Sequence, residues 1–302
     1  CLLLEPQSTN LITYSEDFST WSDKNNVVVT DNFTNSPDGT QNASKFTFDG
    51  TTAGRVEKSL IVTNGNQYTF SIWLKNDNLS DTTQVWLGFS TIGHQGEYVT
   101  VTNEWQRFNT TQTANSSTEY PRVEFNGTGS LYAWGAQFEE LSYATSYIPT
   151  SGSTVTRNAD ACTEAGNTDL IESSEGVLYA EISALSDDGT NRCIGLSSGN
   201  ADNRVNLLFG TVSNAIRGLI VSGGSTQFDQ EYVVSSTTNY HKVAVKYKVN
   251  DFALWVDGVE RFTDTSGSVP IGLNDLSFHV GNESLHLFGN VKSVTVFKEA
   301  LT

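Results

Sequence analysis

The sequence predicts an all-β protein made of two consecutive antiparallel β-sandwiches. Apolar and polar residues alternate along several segments, which is the pattern of half-buried strands. Turn dipeptides such as Asp38-Gly39 and Asn126-Gly127 recur about every ten residues, and no stretch keeps the 3.6-residue period of a helix. The 302 residues correspond to two domains of about 150 residues each.

The alternation is clearest in four segments. In the first half it covers residues 68–74 and 85–89, where Trp73 and Trp86 fall on the phase opposite to the apolar one. In the second half it covers residues 243–247 and 254–256, with Trp255 out of the apolar phase. The polar stretch 149–154 holds Pro and Gly and has no apolar pattern. We therefore expect a first domain at residues 1–150, a linker at 151–163 and a second domain at 164–302.

Composition excludes several classes of partner. The chain carries 17 basic and 34 acidic residues, a net charge of −17, which repels nucleic acid and anionic lipid surfaces. No apolar run approaches the length of about 20 residues that a membrane span needs, so we expect no membrane insertion. Three cysteines do not imply a disulfide framework, and we expect Cys162 and Cys193 to be free. Because Met is absent even at position 1, we expect a processed product or a segment of a longer protein.

The first half resembles a jelly-roll, carbohydrate-binding-module-like domain that recurs in phage tail and virion proteins. The resemblance covers about residues 1–150. The strings that carry it are Leu2-Leu3-Leu4-Glu5-Pro6-Gln7-Ser8-Thr9-Asn10-Leu11-Ile12, Ser15-Glu16-Asp17-Phe18, Trp21, Glu104-Trp105-Gln106-Arg107-Phe108, Trp134-Gly135-Ala136-Gln137-Phe138-Glu139 and Tyr143-Ala144-Thr145-Ser146-Tyr147-Ile148-Pro149-Thr150.

The second half is similar to a concanavalin A-like lectin, or laminin-G-type, sandwich. The strings that carry this likeness are Trp255-Val256-Asp257-Gly258-Val259, which fits a hairpin turn of that fold, and Gly289-Asn290-Val291-Lys292-Ser293-Val294-Thr295-Val296-Phe297 with Ala300-Leu301-Thr302, which fits its closing strand. Together the two resemblances imply a virion appendage, such as a segment of a tail fibre, spike or head fibre, that binds host-surface polysaccharide for attachment.

Two other functions stay open. The chain could instead be the ancillary glycan-binding region of a secreted polysaccharide-degrading enzyme, with an extracellular location, or a purely structural virion decoration. The expected partners are a host-surface glycan and other virion proteins. The resemblance also implies a homotrimer, although the sequence has no coiled-coil heptads to form one.

No catalytic constellation is evident, and the sequence predicts that the protein is not an enzyme. The paired carboxylates of glycosidases, as in the Glu-x-Asp-x-x-Glu strand of concanavalin-like glucanases, have no counterpart. The string Arg122-Val123-Glu124-Phe125 resembles one strand of alginate-lyase sandwiches, but its companion strings are missing. We interpret it as a salt bridge along a strand.

Metal binding is weakly indicated, and we expect no cofactor. His279 and His286 flank a turn and would lie opposite each other, but no third ligand is evident. The jelly-roll resemblance makes a structural calcium ion a candidate ligand near Glu16, Asp17, Glu139 and Glu140. However, the closing strand reads Trp-Gly-Ala-Gln where such modules often carry paired Asp.

Aromatic residues out of the apolar phase indicate the binding face. An indole among small or polar neighbours suits stacking on a sugar ring. The candidate carbohydrate-binding residues are Trp73, Lys75, Trp86, His94, Tyr98 and Arg122. Lys75 and Arg122 favour an anionic sugar. We assign Trp105 and Trp134 to packing, whereas Trp255 could serve either packing or binding.

Overall fold

A computed structural model describes residues 1–80, 83–89, 95–162, 165–210 and 212–301. Within these residues the chain consists of antiparallel strands and one 3₁₀ turn at Phe18–Thr20, which confirms the predicted all-β class. No helix in the described part of the chain is long and apolar enough to cross a membrane. The chain divides into two compact units, of which one is Gln7–Asn158 and the other joins Cys1–Pro6 to Ala159–Thr302.

In chain order, the strands as far as residue 157 are β1 (Leu2–Leu4), β2 (Ser8–Asn10), β3 (Asp23–Asn25), β4 (Val27–Thr34), β5 (Ala43–Asp49), β6 (Gly54–Glu57), β7 (Leu60–Ile61), β8 (Gln67–Asn76), β9 (Gln84–Gly88), β10 (Gly96–Thr100), β11 (Gln106–Thr113), β12 (Thr118–Glu119), β13 (Arg122–Phe125), β14 (Thr128–Glu139) and β15 (Val155–Arg157). The remaining strands are β16 (Glu175–Ala184), β17 (Arg192–Ser197), β18 (Arg204–Phe209), β19 (Ala215–Ser222), β20 (Ser225–Val233), β21 (His241–Lys248), β22 (Phe252–Val256), β23 (Val259–Asp264), β24 (Asp275–Ser277) and β25 (Gly289–Phe297).

The unit Gln7–Asn158, hereafter the first unit, is a sandwich of two five-stranded sheets. One sheet has the order β11-β8-β14-β5-β4 and the other has the order β10-β9-β13-β6-β3. The alternation of β8 explains how the core forms, because Phe70, Ile72 and Leu74 point inward and are fully buried. Leu87 on β9 and Val123 on β13 meet them from the second sheet in the same core.

A buried polar network closes this sandwich. The Asn10 side chain donates to the carbonyls of Ala136 and Ile148 and so ties β2 to β14 and to the segment that follows β14. The Glu139 carboxylate accepts hydrogen bonds from Ser8 at 2.6 Å and from the backbone and hydroxyl of Thr145 at 2.8 and 2.7 Å. These residues belong to three of the strings that resemble the jelly-roll domain. Because buried polar groups require hydrogen-bond partners, these residues stabilise the fold by satisfying one another.

The other unit, hereafter the second unit, is also a two-sheet sandwich. Its six-stranded sheet has the order β1-β25-β16-β21-β22-β23, and its five-stranded sheet has the order β20-β19-β18-β17-β24. Val243, Val245 and Tyr247 of β21 are fully buried, as their alternation predicts. They pack in one cluster with Leu207 and Ile220 of the opposite sheet.

Two short strands lie elsewhere than the sequence indicates. Leu2–Leu4, expected in the first domain, pairs with Gly289–Val291 of β25, and Leu4 is buried in the second core. Val155–Arg157, expected in the linker, pairs with Ser8–Asn10 of β2. A three-residue strand is too short for its alternation to reveal which strand it pairs with. The position of β1 and β15 along the chain therefore did not predict the sheet to which each belongs. In chain order, the first unit is therefore inserted between β1 and the rest of the second unit.

Candidate functional site

A concave surface lies on the outer face of the six-stranded sheet. Strand β21 runs through this sheet with Val243 and Val245 pointing into the core. Successive side chains of a strand point to opposite faces, so Lys242, Ala244 and Lys246 point outward. The same alternation that builds the core thus also places two ammonium groups and a methyl group along one line.

Two aromatic residues flank the small residue in that line. Ala244 is the register partner of Tyr179 on β16 and of Trp255 on β22. Because register partners share a face, the two aromatic side chains stand on strands two positions apart, roughly 10 Å at the usual strand spacing. The Ala244 methyl leaves the space between them open. The result, which we call the Trp255 groove, has a volume of about 300 Å³ and is lined by Val177, Tyr179, Lys242, Val243, Ala244, Lys246, Trp255, Gly258 and Leu301.

Trp255 is held in an accessible position by the hairpin that follows it. Its side chain remains 36% exposed. The turn Asp257-Gly258 has positive φ at both residues, 54° and 77°, which is the geometry of a tight two-residue hairpin. Gly258 contributes to the groove lining, and no described residue beyond its two chain neighbours lies within 4 Å of where its Cβ would be.

The charges around the Trp255 groove are unevenly paired. The Lys246 ammonium lies 2.7 Å from the Asp251 carboxylate, and its side chain is 15% exposed. Lys242 is exposed and has no ion pair within the described residues. Among the described residues, the groove lining includes no carboxylate. The groove therefore combines aromatic walls, an apolar floor and one unpaired ammonium group.

Solved structures that resemble this chain are carbohydrate-binding modules, galectins and laminin G domains. The tandem CBM22 domain from Paenibacillus barcinonensis is 10% identical, with a TM-score of 0.33 and coverage of 96% of this chain and 97% of that one. Xenopus laevis galectin-Ib is 14% identical, with a TM-score of 0.30 and coverage of 45% and 99%. The mouse laminin alpha1 domains LG4-5 are 10% identical, with a TM-score of 0.29 and coverage of 81% and 88%.

No protein-family model and no curated protein matches the chain. At TM-scores this low, the structural matches decide nothing about this protein. The fold and the site rest on the strands and side chains themselves.

The structure separates the candidate residues of the first unit into two groups. Trp73 and Lys75 belong to β8 in one sheet, whereas Trp86, Tyr98 and Arg122 belong to β9, β10 and β13 in the other. Both groups point away from the core, so they lie on opposite outer faces of the sandwich. His94 lies outside the described residues.

Trp86 is largely covered. Its side chain is 5% exposed, and the Arg122 guanidinium lies 5.4 Å from the centre of its ring. Arg122 also pairs with Glu57 at 3.0 Å and with Glu124 at 3.4 Å, so the strand salt bridge inferred from the sequence is present. Burial raises the pKa of Glu57, and the neighbouring Arg122 charge opposes that rise. Of this group only Tyr98, at 70% exposure, is open to solvent.

Trp73 is half-buried in an aromatic cluster. Its register partner Trp134 is 6% exposed and packs against Tyr147 with 4.7 Å between ring centres. The Tyr147 hydroxyl bonds to Ser15 and Glu16, and burial raises the pKa of Tyr147. The segment after β14 thus covers this end of the outer face. Trp105 donates from its indole nitrogen to the Asn35 carbonyl at 3.2 Å.

The acids named for a calcium ion are engaged in separate contacts. Glu16 accepts from Asn42, and Asp17 accepts from Ser19. Glu139 lies in the closing network, and Glu140 accepts from Asn66 and Tyr68. Within the described ranges, no three His, Cys, Asp or Glu side chains are grouped so that they could hold a metal ion.

His279 and His286 lie close together, as the turn between them predicts. Their ring centres are 5.5 Å apart in an edge-to-face arrangement. Burial, together with the His286 charge, lowers the pKa of His279. Cys193 on β17, which forms a β-bridge with His286, is buried. Cys1, Cys162 and Cys193 are all free of disulfide bonds.

Sequence reasoning missed most of the Trp255 groove. It left Trp255 open and did not single out Tyr179, Lys242 or Lys246. A usable signal was present, because Lys242, Ala244 and Lys246 alternate along β21 with the apolar residues Val243, Val245 and Tyr247. That strand alone does not reveal its register partners, which supply both aromatic walls.

Proposed function

We propose that this protein is a non-catalytic carbohydrate-binding protein and that the Trp255 groove is its binding site. The observation that carries the proposal is the placement of Tyr179 and Trp255 on either side of Ala244. A pyranose ring has an apolar face and a rim of hydroxyl groups. The aromatic walls suit the apolar face, and the ammonium groups of Lys242 and Lys246 can donate hydrogen bonds to the hydroxyl rim.

The absence of catalysis is part of the proposal. Most glycoside hydrolases need two carboxyl groups flanking the scissile bond. Among the described residues that line the groove there is no Asp or Glu. The described lining therefore offers contacts for binding and lacks the carboxyl pair that most glycoside hydrolases use for cleavage.

The finer proposal is that the glycan belongs to a host cell surface and that the protein is part of a virion. Its support is the resemblance of the first-unit strings to modules of phage tail and virion proteins. Modest affinity at each groove would suit a particle that presents many copies, because multivalent contact multiplies weak binding. Virion partners and a homotrimer belong to this proposal as well.

The experiment is a binding comparison on immobilised bacterial polysaccharides with the full chain. Trp255→Ala should weaken binding roughly tenfold, because a stacked ring contributes about 1 to 1.5 kcal/mol. Ala244→Gln should weaken it too, since the longer side chain fills the floor and leaves both aromatic residues in place.

Trp73→Ala is the matched control, because it removes an indole from an outer sheet face in the first unit. Circular dichroism and thermal unfolding would verify that each variant is folded. If folded Trp255→Ala binds like wild type while Trp73→Ala loses binding, the site lies in the first unit and the groove assignment is wrong.

A further inference from the structure

We infer that the Trp255 groove selects saccharides that carry a carboxylate, and that Lys242 holds this group. The inference rests on the proposed function and names the class of sugar that the groove prefers. Three observations lead to it: the engagement of the acids near Lys242, the contrast with Lys246, and the net charge of the whole chain.

The acids closest to Lys242 in the fold are already engaged. Glu181 is the register partner of Lys242, but its carboxylate lies 3.1 Å from the Lys292 ammonium on the other side. The Lys292 ammonium is also held 3.8 Å from the centre of the Tyr240 ring. Glu181 is thus directed away from the groove.

Asp257 is engaged through both oxygens. One oxygen accepts from the backbone N–H of Lys242 at 3.0 Å, and the other lies 2.8 Å from the His241 ring nitrogen. Glu260 is the register partner of Trp255 on β23, one strand further from Ala244. The Lys242 ammonium therefore has no carboxylate partner in the described part of the protein.

Lys246 lines the same groove, but its charge is neutralised by an ion pair. Its ammonium is paired with Asp251 at 2.7 Å, and its side chain is mostly buried. The two lysines are four residues apart on one strand, about 13 Å at the usual rise per residue. A bound saccharide would therefore meet an unpaired positive charge at one end of the groove and a neutralised pair at the other.

The charge of the whole chain narrows the ligand to sugars of low charge density. A net charge of −17 disfavours any polyanion, and the repulsion grows with the charge of the polymer. A single unpaired ammonium can compensate one carboxylate per binding site, but it cannot compensate a dense array of sulfates. We therefore commit to a carboxylated sugar, with a sulfated sugar as an arm of the test.

The test uses matched polymers that differ only in the carboxylate. The probes are hyaluronan and gellan, whose repeats combine one carboxylated sugar with uncharged sugars, each beside its carboxyl-reduced form, and a sulfated neutral glucan as the additional arm. Wild type should bind at least one carboxylated polymer roughly three- to tenfold more tightly than its reduced form, which is the range for one partly exposed charge pair. The preference should shrink as salt is raised, because the pair is screened.

Lys242→Gln should lose the preference, so that it binds a carboxylated polymer and its reduced form equally. Lys248→Gln is the matched control, because it makes the same charge change on the same strand and face outside the groove lining, at a lysine already paired with Glu175. It should behave like wild type. A preference that survives in Lys242→Gln would overturn the inference.

The outcomes separate this inference from the proposed function. Equal binding of both forms, weakened by Trp255→Ala, overturns the carboxylate preference and supports glycan binding. Tighter binding of the sulfated glucan would show that the class is wrong. No binding to any polymer of either form would count against the proposed function itself.

Discussion

Single neighbouring residues decide whether an outward-pointing indole is exposed to solvent or packed against the protein. Trp86 and Trp255 both point away from the core of their unit, yet Trp86 is 5% exposed and Trp255 is 36% exposed. The difference lies in their neighbours. The Trp86 ring lies across Gly88 and Gly96, whereas Trp255 has the small residue Ala244 as its register partner.

Gly96→Ala should therefore destabilise the first unit. A Cβ at this position would lie 2.4 Å from the Trp86 ring and 2.5 Å from the Leu87 carbonyl, and the backbone atom cannot move aside. Overpacking of this kind costs about 1 to 3 kcal/mol. Chemical denaturation followed by tryptophan fluorescence would measure the loss. Thr100→Ala, at the exposed end of the same strand, should change stability little, and equal stability of the two variants would contradict the role given to Gly96.

At the scale of elements, one segment of the second unit should respond to acid. The segment 278–288 joins β24 to β25, and its backbone bonds to Cys193 through Leu285. His279 accepts the backbone N–H of Gly281 on its Nδ1 at 3.0 Å, which requires an unprotonated nitrogen. His286, Asp275 and Glu283 are the charged groups acting on His279, and the net effect with burial is a lowered pKa.

The sign of the pH effect follows from that shift. Since the pKa of His279 is lower when folded than when unfolded, its contribution to stability is fully present above the ordinary value of 6.5 and is lost as the pH falls through the folded pKa. In a Cys1→Ser, Cys162→Ser background, Cys193 should react faster with dithiodipyridine as the pH drops from 7.5 to 5. His279→Asn keeps an oxygen acceptor and cannot titrate, so it should remove this dependence. An unchanged dependence in that variant would assign the effect to another group.

Elements also show how far the sequence could lead. Long strands such as β8 and β21 were predictable, because burying one face of a strand imposes alternation. The short strands β1 and β15 were not, since three residues hold no periodicity and their partners lie far away in the chain. Predicting the Trp255 groove would have required the register of three strands, β16, β21 and β22. The alternation predicts which way Trp255 points, but not that Tyr179 stands opposite it across Ala244.

At the scale of the whole molecule, the position of a residue in the chain does not always tell which hydrophobic core it belongs to. Each unit has its own buried cluster, and Leu4 belongs to the cluster of the second unit although it precedes the entire first unit. Five of the six tryptophans lie between residues 21 and 134, in the first unit, whereas the buried Cys193 lies in the second. The two units can therefore be followed separately in one unfolding experiment.

Leu4→Ala should destabilise the second unit and leave the first unit unchanged. The side chain is 5% exposed, and removing it should cost about 2 to 5 kcal/mol, as for other buried leucines. Labelling of Cys193 in the same two-serine background should then begin at lower denaturant, while the tryptophan fluorescence transition stays in place. Leu2→Ala is the control on the same strand, because Leu2 is 43% exposed and its removal creates no cavity. If Leu4→Ala instead moves the fluorescence transition and leaves Cys193 protected, the residue belongs to the first core, as its position in the sequence alone indicates.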